Sequence, residues 1–295
     1  MEWSQTLLKA RQYVGKYRIE KRLALGGFAA VYQAFDTIEG IRIALKVPHD
    51  EHVTVDALRT FRNEARLVAK LDHPNVLPIK DASIIDDRFV IASPLGEATL
   101  LERWQRRMTM QKRIDLIGQM LAGVAHAHER KIIHCDIKPE NFILFPGNRL
   151  RLADFGIARF SRRTIHGSGS GTIGYMSPDQ AMGRPSMRSD VFSLGLLMYR
   201  LMTGHLPEWP FEWPLDGHAR LRRSTSGDFI SILQKSLELN PRRRFADAAE
   251  MLDEFEHVRE TALEPGRAKT TVRRARGTTR RRRVTPARRR RQRVR

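Results

Sequence analysis

Hydrophobic residues recur along this chain with two different spacings. Short runs in which apolar residues alternate or follow one another are typical of β-strands, and they occur at 17–23, 41–47, 76–85 and 88–93. Helical spacing predicts a short amphipathic helix at 1–13, longer helices at 55–71, 109–130 and 191–202, and two closing helices within 227–257. Most of the predicted strands therefore lie in the first third of the chain, and most of the predicted helices follow them.

A polar loop follows the apolar pair that opens residues 132–141, whose sequence is IIHCDIKPEN. Asp136 could accept a proton, and Lys138 could hold a negative charge beside it. Asn141 could bind a metal through its side-chain oxygen. Asp, Pro and Asn are also common turn residues, so this loop alone does not establish a site.

A second acidic turn, Asp154-Phe155-Gly156, follows another apolar stretch. Two acidic turns at the ends of adjacent apolar segments predict a hairpin with an acidic mouth. This arrangement suits Mg²⁺ and phosphate chemistry, because Mg²⁺ prefers hard oxygen ligands and offsets phosphate charge.

The formal net charge of +20 is concentrated at the C-terminus. Residues 266–295 contain 14 Arg, one Lys and no acidic residue, which leaves +5 for the rest of the chain. Like charges and few apolar residues predict a disordered tail. The tail is either a solvated segment with weak attraction to polyanions or a nonspecific contact for nucleic acid or an anionic membrane surface. It has no aromatic residues for base stacking, which argues against sequence-specific recognition.

Cysteine content and hydropathy indicate the cellular compartment. Cys135 is the only cysteine, so no intrachain disulfide can form, as is typical of a reducing cytosol. The N-terminus lacks the sustained apolar run of a secretory signal, and no stretch approaches 18 uncharged apolar residues. We therefore expect a cytoplasmic protein without a membrane-spanning helix.

HCDIKPEN followed by DFG resembles the catalytic and metal-binding loops of the eukaryotic-type, or Hanks-type, serine/threonine protein kinases. The resemblance covers 17–258, and the short loops are similar to those of bacterial members. It implies an α+β fold with a small β-rich N-lobe at about 17–93 and a larger helical C-lobe at about 98–258. Residues 1–16 would then be an N-terminal extension.

The resemblance also implies a reaction. Such kinases transfer the γ-phosphoryl group of Mg-ATP to serine or threonine hydroxyls of protein substrates, and we expect autophosphorylation as well. ATP and Mg²⁺ are the implied cofactors, with Mn²⁺ as an alternative ion. The sequence leaves open the physiological substrate, the upstream signal and the oligomeric state.

Individual roles follow from the same resemblance. Asp136 would be the base or orienting group for the substrate hydroxyl, and Lys138 would contact the transferring phosphoryl group. Asn141 and Asp154 would bind the metal. The glycine-rich stretch would close over ATP, and a lysine on the following strand would hold its phosphates with the help of a helix carboxylate. These ATP-binding positions are Leu25, Gly26, Gly27, Phe28, Ala29, Val31, Lys46 and Glu64.

Two departures from the family pattern bear on activity. The glycine-rich pattern G-x-G-x-x-G-x-V keeps its middle glycine, but Ala24 and Ala29 stand at the first and third positions. Cys135 replaces the arginine that commonly receives a phosphate from the activation loop. We therefore expect activity that does not depend strictly on activation-loop phosphorylation. The activation-segment candidates are Thr164, Ser168, Ser170 and Thr172, the last of which would contact Asp136 and Lys138.

Three further positions are implied to be structural. Asp179 replaces the usual glutamate and would pair with Arg244, although its shorter side chain predicts a longer or shifted pair. Asp190 would hold the catalytic loop from below, or cap a buried helix, or do both. The aromatic residues at 209–213 are either core residues or an exposed docking patch.

Three other functions are alternatives to the kinase hypothesis. A pseudokinase would keep the fold as a binding module or ATP-binding scaffold, and the altered glycine pattern and Cys135 favour it. The intact set of candidate site residues argues more strongly against it. A small-molecule phosphotransferase of related fold would typically lack the activation segment that follows residue 154. A polyanion-binding protein dominated by its basic tail does not exclude a kinase.

Overall fold

The computed structural model describes residues 7–27, 29–49, 62–63, 65–86, 88–155 and 173–266. Six antiparallel strands form the first sheet: β1 Tyr13–Val14, β2 Tyr17–Leu25, β3 Ala29–Asp36, β4 Ile41–Pro48, β5 Asp81–Ile85 and β6 Arg88–Pro94. Their spatial order is β1-β2-β3-β4-β6-β5. We call this sheet, with the segments that pack on it, the N-lobe.

The central residues of β6 are all buried, because the N-lobe sheet is packed on both faces. Val90 and Ala92 of β6 join one apolar cluster, which includes Tyr32 and Leu45 from neighbouring strands. Phe89 and Ile91 alternate with them along the strand and join a second cluster. Successive side chains of a strand point to opposite faces, so the two clusters cover the two faces of the sheet. The second cluster packs against Ala65, in a segment that is helical at 65–68.

The helical C-lobe follows. A small antiparallel sheet in the order β7-β8-β9 consists of β7 Ala98–Thr99, β8 Phe142–Phe145 and β9 Arg149–Leu152. Its helices are α1 Leu100–Trp104, α2 Met110–Glu129, α3 Pro178–Ala181, α4 Met187–Thr203, α5 His218–Ser224, α6 Gly227–Ser236 and α7 Ala248–Val258. Short 3₁₀ turns occur at Pro139–Asn141, Pro146–Asn148, Ile173–Tyr175, Pro241–Arg243 and Arg259–Thr261.

Helices α2 and α4 form the centre of the C-lobe, and nearly every residue of α4 is buried. A capping box at Ser186 starts α4, and Gly204 ends it with φ of 85°, a left-handed conformation that favours glycine. Within the described ranges, no helix combines the length and apolar content that crossing a membrane requires.

The architecture confirms the predicted α+β fold with a β-rich first lobe and a helical second lobe. The strands predicted at 17–23, 41–47 and 88–93 are present with small shifts at their ends, whereas the strand predicted at 76–85 begins only at Asp81. The helix at 109–130 and the two helices within 227–257 are present, and the helix predicted at 191–202 begins earlier, at Met187. Within the described part of the helix predicted at 55–71, residues 62–63 and 65–68 are helical and 69–71 are not. The helix expected at 1–13 is wrong for its described part: residues 7–12 are not helical, and Tyr13–Val14 form a strand. There Leu7 and Leu8 pack against the N-lobe core instead. Residues 267–295 of the tail lie outside the described residues.

Candidate active site

The loop between α2 and β8 brings three of the predicted site residues together. Lys138 Nζ lies 2.8 Å from Asp136 Oδ2. Asn141 Nδ2 donates to the Asp136 carbonyl at 2.7 Å and to Asp136 Oδ2 at 3.0 Å. The amide nitrogen of Asn141 is therefore engaged with Asp136, and its amide oxygen is the atom suited to a metal.

Asp154 follows β9, in the second acidic turn. The lysine Nζ of Lys46, on β4, donates to Asp154 Oδ1 at 2.8 Å and so joins the two lobes. Burial by itself would raise the pKa of the Asp154 carboxyl. The charge and hydrogen bond of Lys46, with smaller contributions from His134 and Lys138, outweigh burial and hold that pKa below its usual value. The carboxylate therefore stays ionised, as a metal ligand must.

The hairpin β8–β9 sets the spacing of the two acidic turns. Phe142 pairs with Leu152 at its open end, and the Ala153 N–H donates to the Asn141 carbonyl at 2.8 Å. Asn141 directly precedes β8, and Asp154 lies two residues after the end of β9. The predicted hairpin with an acidic mouth is thus present.

His134, which the sequence reasoning did not single out, ties the two turns together. Its Nδ1 accepts from the Asp136 N–H at 3.2 Å. Its Nε2 lies 2.9 Å from the Ala153 carbonyl, and because a carbonyl only accepts, Nε2 carries the proton. The ring also packs edge-on against Phe155. The signal available in the sequence was a histidine at the end of an apolar run, beside the candidate Asp136.

Asp190 supports the same loop from α4. Its carboxylate accepts from the His134 N–H at 2.7 Å, the Cys135 N–H at 2.8 Å and His128 Nε2 at 2.9 Å. His128 Nδ1 accepts from the Ala248 N–H, which fixes its tautomer and connects α7 to the network. The expectation that Asp190 holds the loop from below fits this geometry, whereas the helix-cap alternative is wrong.

That alternative fails because Ser186 is the N-cap of α4, and Asp190 lies in its first turn. Cys135 itself has φ of 64°, in the left-handed region. The Asp190 carboxylate thus helps to hold a loop conformation that costs free energy for a residue other than glycine.

Asp179 and Arg244 form a direct pair. Arg244 donates to Asp179 Oδ1 at 2.7 Å, so the shorter acid does not lengthen the contact, contrary to expectation. The Ser189 hydroxyl also donates to Asp179. Burial would raise the pKa of Asp179, but these two partners hold it below its usual value. Next to it, Gln180 Nε2 donates to the Cys135 carbonyl at 2.6 Å and joins α3 to the loop between α2 and β8.

The glycine-rich turn connects β2 and β3. Leu25 pairs with Ala30, and the Gly26 N–H donates to the Ala29 carbonyl at 3.0 Å. Val31 lies opposite Lys46 in the β3–β4 register, which places the turn close to the lysine strand. A Cβ added at Gly27 would meet no atom of the described residues within 4 Å, its chain neighbours excepted.

Several predicted site residues lie outside the described residues. These are Phe28, Glu64, Thr164, Ser168, Ser170 and Thr172. The predicted Lys46–Glu64 pair and the activation-segment roles therefore stay predictions. The aromatic stretch is divided: Phe211 and Trp213 pack against the C-lobe core, whereas Trp209 is 67% exposed.

The donor set fits a divalent cation bound together with phosphate groups. Within the described part of the chain, no three or more His, Cys, Asp and Glu side chains are grouped to hold a metal. The two predicted ligands here are the Asp154 carboxylate and the amide oxygen of Asn141. Mg²⁺ is commonly held by one or two carboxylates plus the phosphates of a nucleotide, rather than by a complete protein cage.

The sequence of residues 17–255 matches the family model described as "Protein kinase domain". Serine/threonine-protein kinase PrkC of Bacillus subtilis is 32% identical over 209 residues, which are 68% of this chain and 32% of that protein. Serine/threonine-protein kinase PknL of Mycobacterium tuberculosis is 31% identical and covers 85% of this chain and 67% of its own. The chain spans about a third of the length of PrkC and of a probable Lactococcus lactis kinase, PknB.

Solved structures agree on the fold. The crystal structure of the M. tuberculosis PknI kinase domain matches with a TM-score of 0.66 at 22% identity, over 85% of this chain and 99% of that domain. The family model covers most of the chain, and the resemblance carried by HCDIKPEN and DFG is confirmed. The chain therefore belongs to the protein kinase family, among the Hanks-type serine/threonine kinases found in bacteria.

Proposed function

We propose that the chain is an ATP-dependent kinase that phosphorylates serine and threonine hydroxyls of proteins, and also phosphorylates itself. The observation that carries this proposal is the convergence of Asp136, Lys138 and Asn141 beside the Lys46–Asp154 ion pair. Catalysis of phosphoryl transfer is mostly positioning and charge stabilisation, which is what such a cluster of fixed charges supplies.

Each side chain has a role that its contacts support. The Asp136 carboxylate orients the substrate hydroxyl and accepts its proton, and Lys138, 2.8 Å away, offsets charge on the transferred group. Lys46 holds the phosphates on the N-lobe side. When bound, ATP and a divalent cation supply the phosphoryl group and the charge that offsets it.

The cation is proposed to be Mg²⁺, with Mn²⁺ able to replace it, held by Asp154 and the amide oxygen of Asn141. Oxygen donors without imidazole or thiolate favour these hard ions over zinc or copper. A cytoplasmic location belongs to the same proposal, because the reaction consumes ATP and a chain with one cysteine, Cys135, cannot form an intrachain disulfide. As a second and independent proposal, residues 266–295 contact nucleic acid or an anionic membrane surface.

The decisive test is γ-phosphate transfer from labelled ATP with Mg²⁺ to a generic basic protein. Asp136→Asn preserves shape and removes the negative charge, so we expect transfer to fall to background. Asp253→Asn, an exposed position on α7, is the matched control and should keep full transfer. A chain ending near Leu263 tests the tail, and mass spectrometry locates autophosphorylation. Binding of ATP without transfer would favour the pseudokinase.

Independence from activation-loop phosphorylation is tested separately. Backbone contacts hold Cys135, with its N–H donating to Asp190 and its carbonyl accepting from Gln180. An arginine that binds an activation-loop phosphate at this position is therefore not needed to fix the loop. Joint replacement of Thr164, Ser168 and Ser170 by alanine should keep most of the transfer activity, and loss of activity would refute the expectation.

A further inference from the structure

A buried histidine at the end of β4 contacts the glycine-rich turn. His49 is 7% exposed, and its Nε2 lies 2.8 Å from the Gly26 carbonyl oxygen, 23 residues earlier in the chain. A carbonyl oxygen can only accept, so His49 Nε2 carries the proton and donates it. None of the roles described above uses this side chain.

The neighbouring strand ends show what the contact connects. Pro48 pairs with Ala29 at the last position of the β3–β4 ladder, and Ala29 in turn accepts from the Gly26 N–H. His49 therefore reaches past the start of β3 to the turn that leaves β2. Both backbone groups of Gly26 are thus held, the N–H by β3 and the carbonyl by the residue that follows β4.

The same strand carries the lysine of the ion pair. Lys46 lies three positions before His49 and contacts Asp154 at 2.8 Å. A turn fixed to β4 is consequently fixed relative to Lys46, the side chain proposed to hold the phosphates. Fixing a loop in its binding conformation improves affinity, because less conformational freedom is lost when the ligand binds.

The turn has a reason to need such support. Ala24 and Ala29 occupy positions where the family pattern has glycines, so fewer of its residues have glycine's freedom to adapt to a nucleotide. A Cβ added at Gly26 would lie 3.2 Å from the Ala29 carbonyl oxygen, which shows how closely the turn is packed. A turn of this composition benefits from an external hydrogen bond that sets its position.

We infer that His49 is a positioning residue. Through its hydrogen bond to the Gly26 carbonyl, it fixes the glycine-rich turn relative to Lys46, in the position that binding of ATP phosphates requires. The inference rests on the proposed kinase function. It assigns His49 no contact with the reacting atoms. Its effect should appear in ATP affinity, whereas the transfer step should change less.

Two substitutions in the full-length chain separate the hydrogen bond from the volume of the ring. His49→Gln places an amide N–H the same number of bonds from Cα as Nε2, and so can still donate. His49→Leu fills the site without a donor. His257→Leu, at an exposed histidine on α7, is the control. For each protein we would measure the dissociation constant of Mg-ATP, KM and kcat, thermal unfolding, and deuterium uptake of peptides covering residues 22–30.

The loss of one neutral hydrogen bond corresponds to a change of about two- to tenfold. We expect His49→Leu to raise Kd and KM for ATP by about this factor, with a smaller change in kcat and faster deuterium uptake at the turn. His49→Gln should stay within about twofold of the parent chain. Unchanged Kd in His49→Leu, or equal weakening in both variants, would overturn the inference.

The outcomes distinguish this inference from the proposed function. If the parent chain neither binds ATP nor transfers phosphate, the proposed function fails. Deuterium uptake then decides the role of His49 alone: faster exchange in His49→Leu than in His49→Gln supports it, and equal exchange overturns it. If the parent chain is active and His49→Leu matches it in Kd and uptake, only the inference fails.

Discussion

Replacing Asp190 by asparagine should weaken the hydrogen bonds that hold the loop around His134 and Cys135, without creating a cavity in the core. The substitution preserves shape but exchanges one accepting oxygen for a donating NH₂ group. Oδ2 accepts from the His134 N–H and from His128 Nε2, whereas Oδ1 accepts from the Cys135 N–H alone. The amide oxygen of the variant would best take the Oδ2 position, which turns its NH₂ group toward the Cys135 N–H.

The size of the effect follows from that donor-to-donor contact. A hydrogen bond to a charged acceptor contributes about 1.5–3 kcal/mol, and a buried N–H left unsatisfied has a comparable cost. The two retained bonds also become weaker, because their acceptor is now neutral. We expect a destabilisation of about 3 kcal/mol, which corresponds to a decrease of about 6–12 °C in Tm for a domain of this size.

The activity should fall for a different reason. Cys135 precedes Asp136, so release of its N–H lets the proposed catalytic carboxylate move, and small misplacements can cost about a hundredfold in rate. Binding of ATP should change little, because Lys46 and the glycine-rich turn belong to the N-lobe. Differential scanning calorimetry and steady-state kinetics would measure both effects, with Asp253→Asn as control. A Tm within 1 °C of the parent value, together with unchanged kcat, would refute the reasoning.

Three further predictions concern separate parts of the fold. Gly26→Ala should weaken ATP binding more than Gly27→Ala, because among the described residues only the Cβ added at Gly26 meets a neighbouring atom, the Ala29 carbonyl oxygen. Equal binding constants would contradict this. Arg244→Met should cost about 3–5 kcal/mol in chemical denaturation, because Asp179 would be left without its cation, and a change below about 1 kcal/mol would argue against the pair. Burial, aided by Arg130, holds the pKa of His126 below its usual value, so the unfolded chain takes up a proton at this residue more readily than the folded one. The folded state therefore keeps its full stability above about pH 6.5 and loses part of it as pH falls through the lower pKa of folded His126. His126→Phe should flatten the decline of Tm between pH 7 and 5.5, and parallel curves would count against this.

Local patterns predicted the parts of the fold and of the site that depend on near neighbours. Strands β2 and β4 follow from short apolar alternation, and the β8–β9 hairpin follows from two apolar runs separated by turn residues. Asp136, Lys138 and Asn141 lie within six residues of one another, so a single loop brings them together. The helix expected at 1–13 failed in its described part because Leu7 and Leu8 found a sheet to pack against, and tertiary packing overrides helical spacing in a short segment.

Partners that are distant in sequence could not be predicted in the same way. Lys46 and Asp154 are 108 positions apart, and His128 and Asp190 are 62 apart. Each pair depends on how strands and helices pack, which apolar spacing does not specify. The contact of His49 with Gly26 is of the same kind, because it needs the register of three neighbouring strands.

The unit that sequence similarity detects and the unit that folds begin at different residues. The family match starts at Tyr17, yet Val14 is only 2% exposed, and the Leu8 N–H donates to the buried Tyr32 hydroxyl at 3.2 Å. A protein trimmed to the matched region would expose apolar surface of the N-lobe and invite aggregation. Expression of this protein for biochemistry should therefore retain the segment from Leu7 onward, even though similarity alone would discard it.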